Sequence, residues 1–146
     1  MKALALSWPF WALLSAGFAA LTAIFAKVGV EAVNPNLATF VRTIVIVAAA
    51  GIVVLATNSW QAPSSISNRS WLFLILSGLA TGASWMCYFR ALKLGDASRV
   101  APIDKLSVVF VAVFAALFLG EKLSLPNWLG VAMIAGGAIL VAWRTA

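Results

Sequence analysis

Five apolar stretches, each close to twenty residues long, leave this chain little choice of fold. They run over about 7–26, 37–57, 71–92, 99–119 and 125–143. A helix needs about 20 apolar residues to cross the roughly 30 Å of hydrocarbon in a bilayer. Lipid offers the backbone no hydrogen bonds, so a segment that long must satisfy its own N–H and C=O groups, and helix is the economical way to do it. The first, third and fifth stretches are free of charge through their apolar runs; the second contains Arg42, and the fourth contains Pro102, Asp104 and Lys105. The longest connection, NSWQAPSSISNRS at 58–70, reads as a polar loop with an early Pro63. The expectation is an all-α integral membrane protein, a single domain over 1–146 with five transmembrane helices.

Composition narrows the chemistry. Charged residues make up 10% of the 146 and hydrophobic ones 64%, whereas about a quarter of a soluble domain is charged. One cysteine, Cys87, and no histidine exclude a disulfide framework and a zinc site of ordinary ligands, and the commonest general base is missing too. No metal and no cofactor is expected. The net charge of +6 does not point to nucleic acid, because Lys2, Lys27, Arg69, Lys93, Arg99, Lys122 and Arg144 are scattered between apolar segments and form no basic run. The charge-free run from Ala3 to Ala26 is 24 residues, longer than a signal-peptide core, so it is expected to remain as the first helix.

Five crossings put the two ends of the chain on opposite sides. Lys2, Arg69 and Lys122 then share one side, and Lys27, Lys93, Arg99 and Arg144 the other, with Arg90 close by. The positive-inside rule makes the second side cytoplasmic, with the N-terminus out and the C-terminus in. The margin is one or two charges, which permits insertion in both senses. Tryptophans agree with the spans: Trp8, Trp11, Trp60, Trp71 and Trp128 fall at one interface and Trp143 at the other, where indole rings prefer to sit. Trp85 alone falls in mid-membrane.

An ionised side chain in hydrocarbon costs roughly 2.5–3.5 kcal/mol on insertion scales. Arg42 and Asp104 each lie about five residues into their segments, some ~7–8 Å inside the boundary, and Arg90 lies near the end of the third segment on the same side. One reading is a shared polar pocket, with Asp104 as counter-ion to Arg42 or Arg90, Lys105 beside it, and Trp85 and Tyr88 as aromatic walls. The other is that Lys27, Arg42, Arg90 and Lys105 each snorkel to headgroups while Asp104 favours the positive end of its helix. An embedded carboxylate with partners at hand favours the pocket; for Lys27 the interfacial reading is preferred. Pro102 is either an ordinary helix-start proline or a local break beside Asp104. Ser77, Thr81, Ser84 and Tyr88 share one helical face next to the Gly78/Gly82 pair, which suits helix packing or a cavity lining equally. Gly130, Gly136 and Gly137, and Val108, Val109, Val111 and Val113, read as close-packed contact surfaces.

From residue 88 onward, YFRALKLGDASRVAPIDKLSVVFVAVFAALFLGEKLS followed by WLGVAMIAGGAIL resembles the EamA domain of the drug/metabolite transporter superfamily. The pieces that carry the likeness are A-L-x-x-G at 91–95, L-G-E-K at 119–122 and G-V-A-M-I-A-G-G at 130–137; it extends less strongly over all five segments. The resemblance is to half-size members with one five-helix domain, where most members have two in opposite orientation. It implies a multi-pass protein of a prokaryotic cytoplasmic membrane that exports or exchanges small polar metabolites by alternating access. One chain would be half of the inverted repeat, completed by an antiparallel homodimer or a heterodimer with a paralogue. The glutamate that small multidrug-resistance relatives carry in their first helix is absent between Ala3 and Ala26, so a coupling-ion role would fall to Asp104. Arg42, Arg90 and Lys105 against Asp104 favour an anionic or zwitterionic substrate. A subunit of a flippase for a lipid-linked substrate is the alternative. An intramembrane enzyme is not expected, since Ser107 and Lys105 point some 200° apart on a helix and form no dyad.

Overall fold

The computed structural model describes residues 7–143 and is all-α over them. Lys2 and Arg144, which enter the charge balance above, lie outside the described residues. Helix α1 is Trp8–Val30, α2 Pro35–Ala56, α3 Asn68–Leu94, α4 Ala97–Asp104, α5 Ser107–Phe114 and α6 Leu125–Ala142, with a 3-10 turn at Pro63–Ser65 and a π-helical segment at Ala115–Leu119. The stretch Ala97–Leu119 serves as one span, so five segments are long and apolar enough to cross a membrane. Between 6% and 11% of the residues in each span's most apolar window are buried within the chain, so most of them keep surface for lipid or for another chain.

Local chemistry sets the helix ends. The Asn34 side chain accepts the Asn36 N–H at 2.9 Å and Pro35 opens α2, a cap and first-turn pairing that satisfies an orphan donor and omits another. At the other end of α2, the Asn58 N–H reaches Leu55 O at 3.2 Å and the Ser59 N–H reaches Val54 O at 3.0 Å, with Asn58 at φ 50°; this is a Schellman closure with asparagine in the left-handed position. The Ser67 hydroxyl accepts the Ser70 N–H at 3.1 Å and starts α3. Gly120, the glycine of L-G-E-K, ends the π-helical segment at φ 69°, while the Glu121 N–H bonds Ala115 O at 3.1 Å. A residue with a Cβ would be strained at that φ.

Several ends differ from the sequence expectation. Helix α1 continues three residues past Lys27 to Val30, because a cation in the last turn suits the negative end of a helix and does not stop it. Helix α3 begins earlier and ends later than 71–92. Pro102 lies inside α4 and not in its first turn, since the helix already starts at Ala97. The span then breaks after Asp104: Leu106 N–H bonds Ile103 O at 3.0 Å, Val108 bonds Lys105 O at 3.0 Å and Val109 bonds Leu106 O at 2.9 Å, before Phe110 N–H returns to Leu106 O at 3.4 Å. Two residues of tightened i→i−3 bonding thus separate α4 from α5.

The chain divides into two units, residues 1–27 with 94–146, and residues 28–93. In the first, α6 packs against both α4 and α5; Ala23, Ala26, Ala112, Ala115 and Ala138 are buried small residues of this unit. Arg99 Nη2 donates to Ala142 O at 2.8 Å, joining the start of α4 to the end of α6, and Lys27 Nζ donates to Gly95 O at 3.0 Å. In the second unit, Lys93 Nζ donates to Val33 O at 2.9 Å and Glu31 O at 3.4 Å, tying the end of α3 to the turn before α2. Lys27, for which an interfacial position is expected, thus binds a specific carbonyl in the turn after α3. A Cβ added at Gly78, Gly82, Gly130, Gly136 or Gly137 would meet no heavy atom of a neighbouring segment within 4 Å, so the close packing expected of these glycines is not made within the described residues.

Candidate functional site

Helix α2 begins at Pro35, and Arg42 comes seven residues later, about 10 Å along the axis. Thr39, one turn before it, is the buried residue of this helix, its hydroxyl bonded to Pro35 O at 2.9 Å. Residues 39 and 42 share a face at i, i+3 spacing, so Arg42 projects from the side of α2 that packs inward. Its guanidinium carbon lies over the Trp85 ring, 4.2 Å from the centroid, and 5.5 Å from the centroid of Phe89. Both distances are within cation–π range.

Trp85 and Phe89 are one turn apart on α3 and form a continuous aromatic floor beneath Arg42. The inward face of α3 is Gly82, Trp85, Phe89 and Leu92, with Phe89 and Leu92 fully buried. This explains the tryptophan that stands in mid-membrane: it faces an arginine. The cluster lies wholly within residues 28–93. Glu31 is the only acid in that unit, and it is exposed. Among the described residues the Arg42 guanidinium makes no ion pair and no side-chain hydrogen bond.

The remaining sequence-predicted residues are placed as follows. Tyr88 is half-buried on the flank of α3 adjoining Trp85, and Arg90 is exposed, without an ion pair or cation–π contact among the described residues. Ser77, Thr81 and Ser84 face outward, and the Thr81 hydroxyl is turned back onto Ser77 O at 2.9 Å, so the polar stripe does not line the inward face of α3. Asp104 pairs with its neighbour Lys105, Oδ2 to Nζ 3.6 Å, with 37% and 56% of the two side chains exposed. The pair straddles the break in the fourth span. Asp104 is the last residue of α4 and Lys105 its C-cap, so each charge meets one favourable and one unfavourable helix end at the break.

Sequence reasoning missed Phe89, which is indistinguishable from its apolar neighbours until Arg42 is placed over it. Its one signal was i+4 spacing from Trp85. The site offers a fixed cation on an aromatic floor in one unit and an exposed ion pair at a helix break in the other. Among the described residues no cluster of histidine, cysteine, aspartate or glutamate could hold a metal ion.

Residues 6–143 match the model of the EamA-like transporter family. A protein of Sinorhizobium sp, named an uncharacterized transporter in the cobO 3'region, is 68% identical over 136 residues, which is 93% of this chain and 96% of that protein. A probable 4-amino-4-deoxy-L-arabinose-phosphoundecaprenol flippase subunit ArnE of Yersinia pestis (strain Pestoides F) is 32% identical over 90 residues, 61% of this chain and 79% of the relative. The ArnE protein of Yersinia pseudotuberculosis serotype IB (strain PB1/+) matches with the same figures. No solved structure matches the chain.

Proposed function

The chain belongs to the EamA-like transporter family, a multi-pass membrane transporter and not an enzyme, and from that membership we propose that it carries a small polar metabolite by alternating access, as a dimer in a bacterial cytoplasmic membrane. The single observation that carries this reading is Arg42 on its aromatic floor. A charge kept some 10 Å into a membrane helix, held by two rings and by no acid among the described residues, is a group reserved for something that comes and goes. Trp85 and Tyr88 accompany Arg42 in binding substrate, and Arg90, near the end of the same helix, serves the approach to it.

Asp104 and Lys105 supply the coupling element. A carboxylate at a helix break exchanges a proton or a cation more readily than one locked in a buried pair, and its partial exposure supports that use. Five spans are half of the ten found in most two-domain relatives, so a second copy in the opposite orientation, or an oppositely inserted paralogue, completes the inverted repeat.

The likeness to ArnE favours a second reading, in which the chain is a subunit of a flippase for a lipid-linked substrate. Reconstitution separates the two. Proteoliposomes holding purified protein should show counterflow of a water-soluble metabolite from a panel of labelled amino and organic acids. Arg42→Ala should abolish that flux, whereas Arg69→Ala, at the first turn of α3, should preserve it. Equal losses would remove Arg42 from the site, and movement of a lipid-linked substrate alone would transfer the assignment to the flippase reading.

A further inference from the structure

We infer that Arg42 recognises an oxyanion, a carboxylate or a phosphate, through the free edge of its guanidinium. This deepens the transport reading and rests on it. The fork of an arginine matches the two oxygens of a carboxylate or phosphate, while its faces bind aromatic rings. Here the ring contact is already made: Trp85 at 4.2 Å and Phe89 at 5.5 Å lie one turn apart on α3 and so approach from the same side. What remains is the set of N–H donors, none with an acceptor among the described residues.

Two observations make the cation available for a ligand. Glu31, the one acid in residues 28–93, is exposed and forms no ion pair among the described residues, and the fourth span's Asp104 is engaged by Lys105 at 3.6 Å. Arg42 itself is half-buried, open enough to be reached. A neutral or cationic solute would leave the guanidinium unpaired at membrane depth; an oxyanion neutralises it there. The aromatic floor fixes the fork before the ligand arrives, which lowers the ordering cost of binding. The same chemistry is offered by a water-soluble acid and by the phosphate of a lipid.

The test follows the Nε–H resonance of Arg42 by NMR, with protein in dodecyl maltoside micelles, which hold no phosphate, and the resonance assigned by its loss in Arg42→Lys. Benzoate and inorganic phosphate are the soluble probes, and benzamide and choline the controls. A saturable shift with benzoate or phosphate, absent with the controls, is expected. Arg42→Lys, which keeps the charge and loses the fork, should weaken benzoate binding by calorimetry about tenfold or more, the worth of one charge-assisted hydrogen bond. A shift seen only when phosphatidylglycerol is added to the micelles supports the inference with a lipid phosphate as the source. A resonance unmoved by benzoate, phosphate and phosphatidylglycerol alike overturns it, as does a lysine variant that binds benzoate like the parent. If Arg42→Ala stops flux while the resonance stays silent, the transport reading stands without the oxyanion; if flux continues unimpaired, the chain still transports, and Arg42 leaves the site and the inference with it.

Discussion

At the scale of single residues, the balance at Arg42 is informative. Embedding the charge costs roughly 2.5–3.5 kcal/mol, and contact with aromatic faces returns about 0.5–2 kcal/mol. The rings therefore orient the guanidinium more than they stabilise it, and the rest must come from a ligand, water or a second chain. Asp104 poses the opposite case, an anion whose neighbour Lys105 is in reach at 3.6 Å. Asp104→Asn should leave membrane insertion and folding intact and abolish coupled flux in the proteoliposome assay; normal gradient-driven uptake by that variant would dismiss the carboxylate as the coupling group. Gly120 has a purely conformational role. Its φ of 69° makes Gly120→Ala destabilising by about 1 kcal/mol, readable as a lower midpoint in thermal unfolding, while substrate affinity stays unchanged.

At the scale of elements, the fourth span carries the departure from regularity. Pro102 has no N–H to give to Ser98 O, and its ring crowds that carbonyl. The i→i−3 bonds that follow at Leu106, Val108 and Val109 complete the separation of α4 from α5. Pro102→Ala restores one hydrogen bond and should raise stability by about 1–3 kcal/mol, seen as a higher melting temperature, while slowing turnover by stiffening the joint. A faster variant would mean that the break is incidental. The five spans were legible in the sequence because apolar length alone decides them. Their ends were not, since Lys27 looks like a stop signal and acts as a favourable last-turn cation. Arg42 and Trp85 could be named singly, yet their meeting could not, because it depends on which faces of α2 and α3 turn toward each other. The proline advertised a break whose position, two residues downstream, only the hydrogen bonds reveal.

At the scale of the whole molecule, insertion and partnership are linked. The cations assigned to the two sides differ by one or two, so a small change should tip the balance. Adding Gln61→Lys and Ser64→Lys to the exposed 58–67 connection should shift a C-terminal reporter toward the outside, scored by paired reporters active on opposite sides of the membrane. If the parent places its C-terminus on both sides and the variant on one, an antiparallel homodimer becomes available only to the parent; a parent confined to one side rules out that homodimer. Lys27, Lys93 and Arg99 each grip a main-chain oxygen at 2.8–3.0 Å, and this bears on when the choice is made. A folded molecule keeps these three internal bonds as it turns, but turning would drag the charged connectors that carry them through oil. Orientation is then set during biosynthesis, and if chains insert in both senses, the membrane should keep the ratio in which they were made.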